Sequence, residues 1–258
     1  MNLDSFPTKT IKTARDVSVI EINPNTAMVV GCDSAGGIGP KPLDEVKVSG
    51  YTLGRFTARV ALMEVLAVGA TPVCLTNTLG VEPDPTGLEI VEGIKSEVAR
   101  LGQSLTIIGS MEKIVSVQQT GIGVSVVGLA EKTGLKIGLS EPEDLIVAIG
   151  RPSVKNDVLP AEERGEIADL GDLLKLIGSD FVHDVIPVGS QGIIHEVNVL
   201  ASDSNLCTKL EIPDVYENCS AGPATAILVS ISKNALTSIR GLITKPMRVI
   251  GSFCSQSV

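Results

Sequence analysis

The segment at 49–69 constrains the fold more than any other part of the sequence. Its apolar residues recur at helical spacing and a glycine ends the pattern, so we predict one long helix. Between residues 60 and 68 every residue is apolar except Glu64, so this carboxylate looks buried. Because burying an unpaired carboxylate is costly, Glu64 requires a metal ion or a cationic partner. The alternatives are an ion pair with an arginine and a helix face that is less buried than the pattern suggests.

The rest of the sequence alternates irregularly between strand and helix patterns. Because no consistent βαβ period is present, we predict an α+β fold. A polar, glycine-containing stretch at 132–140 separates a first lobe, residues 1–135, from a second lobe, residues 136–258. We predict strands at 17–22, 26–32, 72–79, 105–108, 121–129, 145–149, 181–188, 224–231 and 247–250, a loop at 34–44, and further helices at 88–101, 167–177, 193–200 and 234–242.

Composition excludes several classes of protein. The net charge is -9, with 21 Lys and Arg against 30 Asp and Glu, and no basic cluster is present that would neutralise a nucleic acid. The N-terminus lacks an apolar run of signal-peptide length, and nowhere do about 18 uncharged apolar residues follow one another. The 5 cysteines lie far apart, so four or five reduced core thiols are expected. We predict a cytoplasmic protein without nucleic-acid or membrane partners.

Asp33 follows the apolar strand at 26–32 and opens a glycine-rich loop. Strand ends that lead into such loops often present a carboxylate and backbone N–H groups to a phosphate and its magnesium ion. Gly36, Gly37 and Lys41 are candidate phosphate contacts, although the loop lacks the Walker A pattern. The alternatives are an ordinary tight turn and a solvated lysine.

Glu112 repeats this arrangement, because the strand at 105–108 leads through a glycine and Ser110 into a polar segment. The Gly-Ser pair allows backbone N–H groups to approach an anion closely. Taken alone, Glu112 is more typical of a surface loop. As a set, Asp33, Glu64 and Glu112 match the few protein oxygens that magnesium takes beside substrate phosphates. We therefore predict that these three acids bind the metal.

Two arginines and two histidines leave several interpretations open. Arg55 and Arg59 share a helical face and are suited to clamp a phosphate, to pair with Glu64 or to form a surface pair. With only His183 and His195, the chain has little room for a catalytic triad or a histidine-based metal site.

A Gly-Ser-Gln-Gly turn follows the predicted strand at 181–188. Ser190 and Gln191 in this turn, together with His183 near the start of the strand, are candidate contacts to a ligand. A tight strand-to-helix turn without a ligand is the alternative.

Several short motifs, taken in order, resemble landmarks of the superfamily of aminoimidazole ribonucleotide (AIR) synthase and thiamine-monophosphate kinase, the PurM-like enzymes. They cover nearly the whole chain, at 31–35, 63–72, 109–112, 121–128, 187–193, 220–224 and 248–251. The resemblance implies a first lobe that pairs with its twin to form a barrel across a homodimer, and a C-terminal α/β-sandwich lobe. It also implies that ATP and magnesium lie along the acidic residues of the first lobe.

Departures from the motifs of thiamine-monophosphate kinase indicate which members of the superfamily the chain resembles most. Glu64 stands where the kinases carry Asp, and Glu112 ends a Gly-Ser-Met-Glu segment that replaces Gly-Gly-Asp. Ser190 and Gln191 replace a segment that carries a substrate-side carboxylate. This combination is most similar to the α-ribazole kinases, which phosphorylate a base riboside salvaged for cobamides (cobalamin salvage). The resemblance therefore implies transfer of the γ-phosphoryl group of ATP to the 5′-hydroxyl of a small riboside.

The same resemblance implies roles for the candidate residues. The three acids would hold magnesium, the loop glycines with Lys41 and Ser110 would cradle the phosphates, and Ser190, Gln191 and His183 would contact the acceptor. A thiamine-monophosphate kinase, another ATP-using enzyme of the superfamily and a non-catalytic ATP sensor remain as alternatives.

Overall fold

Two compact units make up the chain, one ending at Leu135 and the other beginning at Lys136. The computed structural model describes residues 9–211 and 219–256. Helices and strands are mixed in both units, so the predicted α+β class is confirmed. Within the described residues, no helix is long and apolar enough to cross a membrane.

The first unit is built on an open six-stranded sheet with the strand order β1-β2-β3-β8-β6-β7. All neighbours are antiparallel except β6 and β7, which helix α2 connects in parallel. A separate parallel pair, β4 and β5, lies in the glycine-rich segment. The elements are β1 Lys9–Ala14, β2 Val17–Glu21, β3 Thr26–Gly36, β4 Ile38–Gly39, β5 Val46–Lys47, α1 Gly50–Ala67, β6 Thr71–Leu79, α2 Leu88–Ala99, β7 Thr106–Met111 and β8 Gly121–Glu131.

Helix α1 begins where Ser49 caps it, since the Ser49 side chain accepts the Thr52 N–H at 3.1 Å. It packs closely against α2, because a Cβ on Gly54 would lie 2.1 Å from the Ile90 carbonyl oxygen. Only glycine allows this approach of the two backbones. The helix predicted at 49–69 is confirmed, although it begins at Gly50 and ends at Ala67.

The second unit is built on a five-stranded antiparallel sheet with the order β10-β12-β9-β13-β11. Apolar side chains of this sheet and of α5 form one buried core that includes Ile146, Ile186, Val197, Leu200 and Phe253. The elements are β9 Leu145–Ile149, α3 Val158–Glu163, α4 Leu170–Ile177, β10 Val182–Pro187, α5 Ile193–Asp203, β11 Leu206–Leu210, β12 Ile227–Ile231, α6 Leu236–Leu242 and β13 Met247–Ser255.

Several sequence predictions are corrected by the structure. The loop predicted at 34–44 is partly strand, because β3 continues to Gly36 and β4 follows. Helix α4 begins at Leu170 and not at 167, since Asp169 and Asp172 cap its first turn reciprocally at 3.1 Å. The five cysteines are free, but none of them is fully buried, so the expectation of core thiols is wrong.

Candidate functional site

The candidate site lies in the first unit, on a row of paired residues that crosses four strands. Asp33 of β3 is paired with Val124 of β8, and Val124 is paired with Asn77 of β6. Asn77 is in turn paired with Gly109 of β7. Paired residues share a side of the sheet, so the Asp33 and Asn77 side chains lie on the same side.

Helix α1 covers this side of the sheet. A Cβ on Gly31 would lie 3.0 Å from Val65 Cγ2 and 3.4 Å from the Ala61 carbonyl oxygen. Asp33 follows Gly31 by two residues and therefore faces the same side. Glu64 lies in α1 between Ala61 and Val65 and is only 4% exposed, so its predicted burial is confirmed. The structure thus places Asp33 and Glu64 on the same side of one sheet.

Burial changes the ionisation of Asp33. Removal from water raises its pKa from 3.8 to about 6; a hydrogen bond from the Ser34 backbone opposes this shift and the charge of Asp16 adds to it. A nearby cation stabilises the ionised form of such a carboxyl group. Asp33 is therefore suited to bind a metal ion, which would replace its proton.

Asn77 is a polar residue of the site that the sequence analysis did not identify. It is 3% exposed, and its Nδ2 donates to the Ile108 carbonyl at 3.1 Å, whereas Oδ1 is buried without a hydrogen-bond partner among the described residues. An amide oxygen in this state is suited to coordinate a cation or to accept from a ligand. A signal was present in the sequence, because Asn77 lies between Leu75 and Leu79 on the inward face of β6.

The glycine-rich loop is fixed by Asp44, which is buried. Asp44 Oδ1 accepts the Thr120 N–H at 2.7 Å, and Oδ2 accepts Thr120 Oγ1 at 2.7 Å and the Lys41 N–H at 2.8 Å. Gly37 has a φ of 69° and already donates its N–H to the Thr120 carbonyl at 2.9 Å. Gly36 is exposed, and no heavy atom lies within 4 Å of the position of a Cβ. The open space at Gly36 lies on the side of the sheet opposite to Asp33, because the two residues are three apart in β3.

Lys41 forms an ion pair with Glu82, a second residue that the sequence analysis did not identify. Thr86 Oγ1 donates to the other oxygen of the Glu82 carboxylate at 2.6 Å. Although removal from water raises the pKa of Glu82, the hydrogen bonds from Lys41 and Thr86 lower it to about 2. A phosphate that binds Lys41 therefore has to displace a carboxylate. The two residues are 41 positions apart, so no local pattern indicated the pair.

The Ser110 side chain lies on the opposite side of the sheet from Asp33. Ser110 is paired with Thr78, Thr78 with Gly123, and Gly123 with Ser34, the neighbour of Asp33. Successive residues of a strand point to opposite sides. The structure therefore does not bring the Ser110 hydroxyl together with Asp33.

Glu112 follows the end of β7 and binds its own loop. Its Oε1 accepts the Ile114 N–H at 2.7 Å and the Val115 N–H at 3.1 Å, and these hydrogen bonds lower the pKa of Glu112. Across the sheet, β3 and β7 are three strand spacings apart, or about 14 Å. The structure therefore places Glu112 three strands away from Asp33 and does not bring these two residues together in one row of the sheet.

Arg59 lies inside the first unit, so the interpretation of Arg55 and Arg59 as a surface pair is wrong for Arg59. Its Nε donates to Glu97 Oε1 at 3.0 Å, and both residues are fully buried. The guanidinium groups of Arg55 and Arg59 also lie 4.6 Å and 4.5 Å from the centre of the Phe56 ring. Arg59 therefore links α1 to α2.

In the second unit, Ser190 and Gln191 are exposed in the turn before α5. Gly192 ends this turn with a φ of 87° and donates its N–H to the Gly189 carbonyl at 3.3 Å. The first N–H groups of a helix carry partial positive charge. The turn is therefore suited to contact an oxygen-rich or phosphorylated ligand.

His183 lies near the other end of β10 from this turn. Four residues of strand, or about 13 Å, separate it from Pro187. Its ring contacts Asp144 and Ser232, at 2.7 Å and 3.1 Å. The structure therefore does not bring His183 together with Ser190 and Gln191.

A family comparison matches the first unit of the chain. Residues 14–130 match the family described as AIR synthase related protein, N-terminal domain. The matched segment contains the row from Asp33 to Gly109 and helix α1. The PurM-like resemblance of the first-lobe motifs is therefore confirmed at the level of this domain, whereas no curated protein sequence matches the chain.

Individual solved structures extend the likeness to the whole chain at the level of the fold. PurL of T. maritima, solved with ATP, superposes with a TM-score of 0.64 at 15% identity, over 97% of this chain but only 44% of PurL. Thiamine-monophosphate kinase from Stenotrophomonas maltophilia gives a TM-score of 0.59 at 15% identity, over 99% of this chain and 91% of the kinase. AaThiL, solved with AMPPCP and TMP, gives 0.62 at 14% identity, over 94% and 85% of the two chains. The chain thus has the fold of these proteins and spans less than half the length of PurL.

Proposed function

We propose that this protein is an ATP-dependent enzyme that transfers the γ-phosphoryl group to a small acceptor. The observation that carries the proposal is the placement of a partly desolvated acid, Asp33, and a buried acid, Glu64, on the same side of the sheet. Solved structures of this fold with ATP and AMPPCP support the choice of nucleotide.

The residues of this side fit a magnesium ion. Magnesium prefers carboxylate and carbonyl oxygens and usually keeps several waters. Asp33 and Glu64 offer carboxylates, and the buried Oδ1 of Asn77 offers an amide oxygen without a partner among the described residues. We propose that these three residues hold the ion, and that Glu112 serves a separate ion because of its distance across the sheet.

Positioning and charge neutralisation would supply most of the catalysis, because phosphoryl transfer requires little covalent chemistry from the protein. Bound magnesium would neutralise the charge that the phosphate oxygens carry. Lys41 would contact a phosphate, which would replace the Glu82 carboxylate as its partner. No general base is assigned, since a loose transition state depends on one only weakly.

The acceptor is proposed to contact Ser190 and Gln191. Neither side chain is charged, which suits the hydroxyl of a small riboside, and the motif resemblance favours α-ribazole. The N-terminal end of α5 also suits a phosphate group, so thiamine monophosphate remains the second acceptor to test.

We further propose that the protein is a homodimer formed through the first-unit sheet. The side of this sheet opposite α1 exposes Val73, Ile108 and Leu129, of which Ile108 is 57% exposed. A second copy that pairs across this side would bury these residues and build the barrel that the resemblance implies.

The test is incubation with ATP, magnesium and a panel of acceptors, scored for ADP and for the phosphorylated product. We expect ADP to form only when α-ribazole, another riboside or thiamine monophosphate is present. A non-catalytic ATP sensor is the second candidate, favoured by the engagement of Lys41 with Glu82 and of Glu112 with its own loop. Binding of ATP with no ADP for any acceptor would contradict the kinase and support the sensor.

A further inference from the structure

A chain of hydrogen bonds joins an aspartate, a histidine and a serine in the second unit. Asp144 Oδ2 and His183 Nδ1 are 2.7 Å apart, and His183 Nε2 and Ser232 Oγ are 3.1 Å apart. Both distances lie within the range of a nucleophile, its base and the group that orients the base. We propose that Ser232, His183 and Asp144 form a second reactive site, in which Ser232 is acylated by small neutral esters.

The sheet brings these three residues together from distant parts of the chain. Val182 of β10, Ile231 of β12 and Leu145 of β9 are paired in one row across three neighbouring strands. His183, Ser232 and Asp144 each adjoin one residue of this row in the sequence. A register shift after Val182 takes His183 out of the regular pairing of β10 with β12.

The surroundings of Asp144 fix the orientation of the imidazole. Asp144 is 3% exposed, and its Oδ2 also accepts the Glu141 N–H at 2.7 Å and Ser230 Oγ at 2.7 Å. A carboxylate only accepts hydrogen bonds, so the proton on His183 lies at Nδ1. His183 Nε2 therefore presents a lone pair to the Ser232 hydroxyl. This is the tautomer that a general base requires.

The same hydrogen bonds favour this assignment over a metal site. Glu141, Asp144 and His183 each offer a ligand atom, and these atoms lie within 4.8 Å of one another. However, Asp144 Oδ2 already accepts three hydrogen bonds, and the His183 ring is held between Asp144 and Ser232. A metal ion would have to break this arrangement, whereas an ester would use it.

The local charge selects the kind of ester. The His183 side chain is 21% exposed and Ser232 is half-buried, so a small molecule reaches both from solvent. Glu141 and Glu143 are exposed next to Asp144, and Lys233 Nζ lies 3.7 Å from Glu143 Oε2. Acidic neighbours repel carboxylate and phosphate esters. Small neutral esters are therefore the substrate class.

The reaction balances with water as the only co-reactant. Ser232 Oγ attacks the ester carbonyl carbon, and its proton passes to His183 Nε2. The ester C–O bond breaks, and the alcohol leaves with the proton from Nε2. Water then attacks the acyl-serine with the same transfer of its proton, which releases the acid and restores Ser232. Asp144 acts as a positioning residue and does not take the proton.

The probe is p-nitrophenyl acetate, with nitrophenolate release followed in solution and the acetylated residue identified by peptide mass spectrometry. We expect the acetyl group on Ser232, no such labelling in Ser232→Ala, and a fall of at least about 10²-fold in labelling rate for His183→Gln. Ser238→Ala, an exposed serine of α6, is the matched control and should label Ser232 at the wild-type rate. Acetylation confined to lysines, or an unchanged rate of nitrophenolate release in Ser232→Ala, would overturn the proposal.

Asp144→Asn tests the positioning role separately from stability. The Asn side chain can donate to Nδ1 and thereby shift the proton to Nε2, so we expect slower acetylation of Ser232. The nitrogen chemical shifts of the His183 ring would report this change of tautomer. Slower acetylation with an unchanged tautomer would overturn the role assigned to Asp144.

Discussion

The Asp33 carboxyl is partly removed from water on the side of the sheet that α1 covers, and this burial has a measurable consequence. Its pKa of about 6 in the folded protein exceeds the ordinary value of 3.8. The folded state therefore holds this proton more tightly than the unfolded state, so stability is lost as the pH rises from about 4 to about 6. Above that range this destabilisation by the ionised Asp33 carboxylate remains constant.

Asp33→Asn should remove this penalty. Urea denaturation gives the free energy of unfolding of both proteins at pH 4 and at pH 7.5. We expect the stability of the variant relative to the wild type to be about 1–3 kcal/mol higher at pH 7.5 than at pH 4. Magnesium should stabilise the wild type at neutral pH but not the variant. An identical pH dependence of the two proteins would show that the Asp33 carboxyl is not desolvated.

Glu64 carries the second residue-scale prediction. Glu64→Gln keeps the size of the side chain on a buried helix face, so the fold should persist while most magnesium-dependent turnover is lost. Glu92→Gln, an exposed acid of α2, is the matched control and should leave turnover unchanged. Turnover scored by ADP release would separate the two variants. Wild-type turnover in Glu64→Gln would remove Glu64 from the site.

At the scale of elements, the Arg59–Glu97 ion pair couples α1 to α2. Glu97→Gln would remove the negative charge of a fully buried carboxylate that binds both Arg59 and Arg100, and we expect a loss of about 3 kcal/mol in the free energy of unfolding. Replacing both residues with methionine removes both charges and should recover much of this loss. Urea denaturation of the single and double variants gives both values. A single variant as stable as wild type would contradict the coupling.

Elements with a strong apolar pattern could be predicted from the sequence, whereas polar and very short elements could not. Strand β9 was predicted with its observed ends, because its apolar run is buried in the centre of the second sheet. Strands β1 and β11 were missed because lysine and threonine interrupt their few apolar residues, whereas the more apolar edge strands β7 and β10 were predicted. Helix α3 was missed because its 6 residues make fewer than two helical turns, which is too short for a repeated apolar pattern.

For the candidate site, too, a local apolar pattern indicated some residues, whereas contacts between distant segments could not be predicted. Asp33 and Glu64 could be selected as candidates because each interrupts or ends an apolar segment, and their role in the site stays a prediction. The contacts of Lys41 with Glu82 and of Asp144 with His183 depend on pairing between distant segments, which no local pattern reports. The face of Ser110 depends on the register of four strands.

At the scale of the whole molecule, the exposed side of the first-unit sheet predicts a dimer. Light scattering after size exclusion should give the mass of two chains. Ile108→Lys combined with Leu129→Lys places charges on this side and should yield a folded monomer. Leu88→Lys, which changes an exposed apolar residue at the start of α2, should remain dimeric. A monomeric wild type at all concentrations would contradict the proposal.

The most direct test of a magnesium–nucleotide site on the α1 side of the sheet is calorimetric titration with a non-hydrolysable ATP analogue. We predict magnesium-dependent binding by the wild type. Asp33→Asn and Glu64→Gln should each weaken this binding by at least about tenfold, or 1.4 kcal/mol. Glu92→Gln should bind like the wild type. Equal affinity in all four proteins, or binding that does not depend on magnesium, would contradict the account.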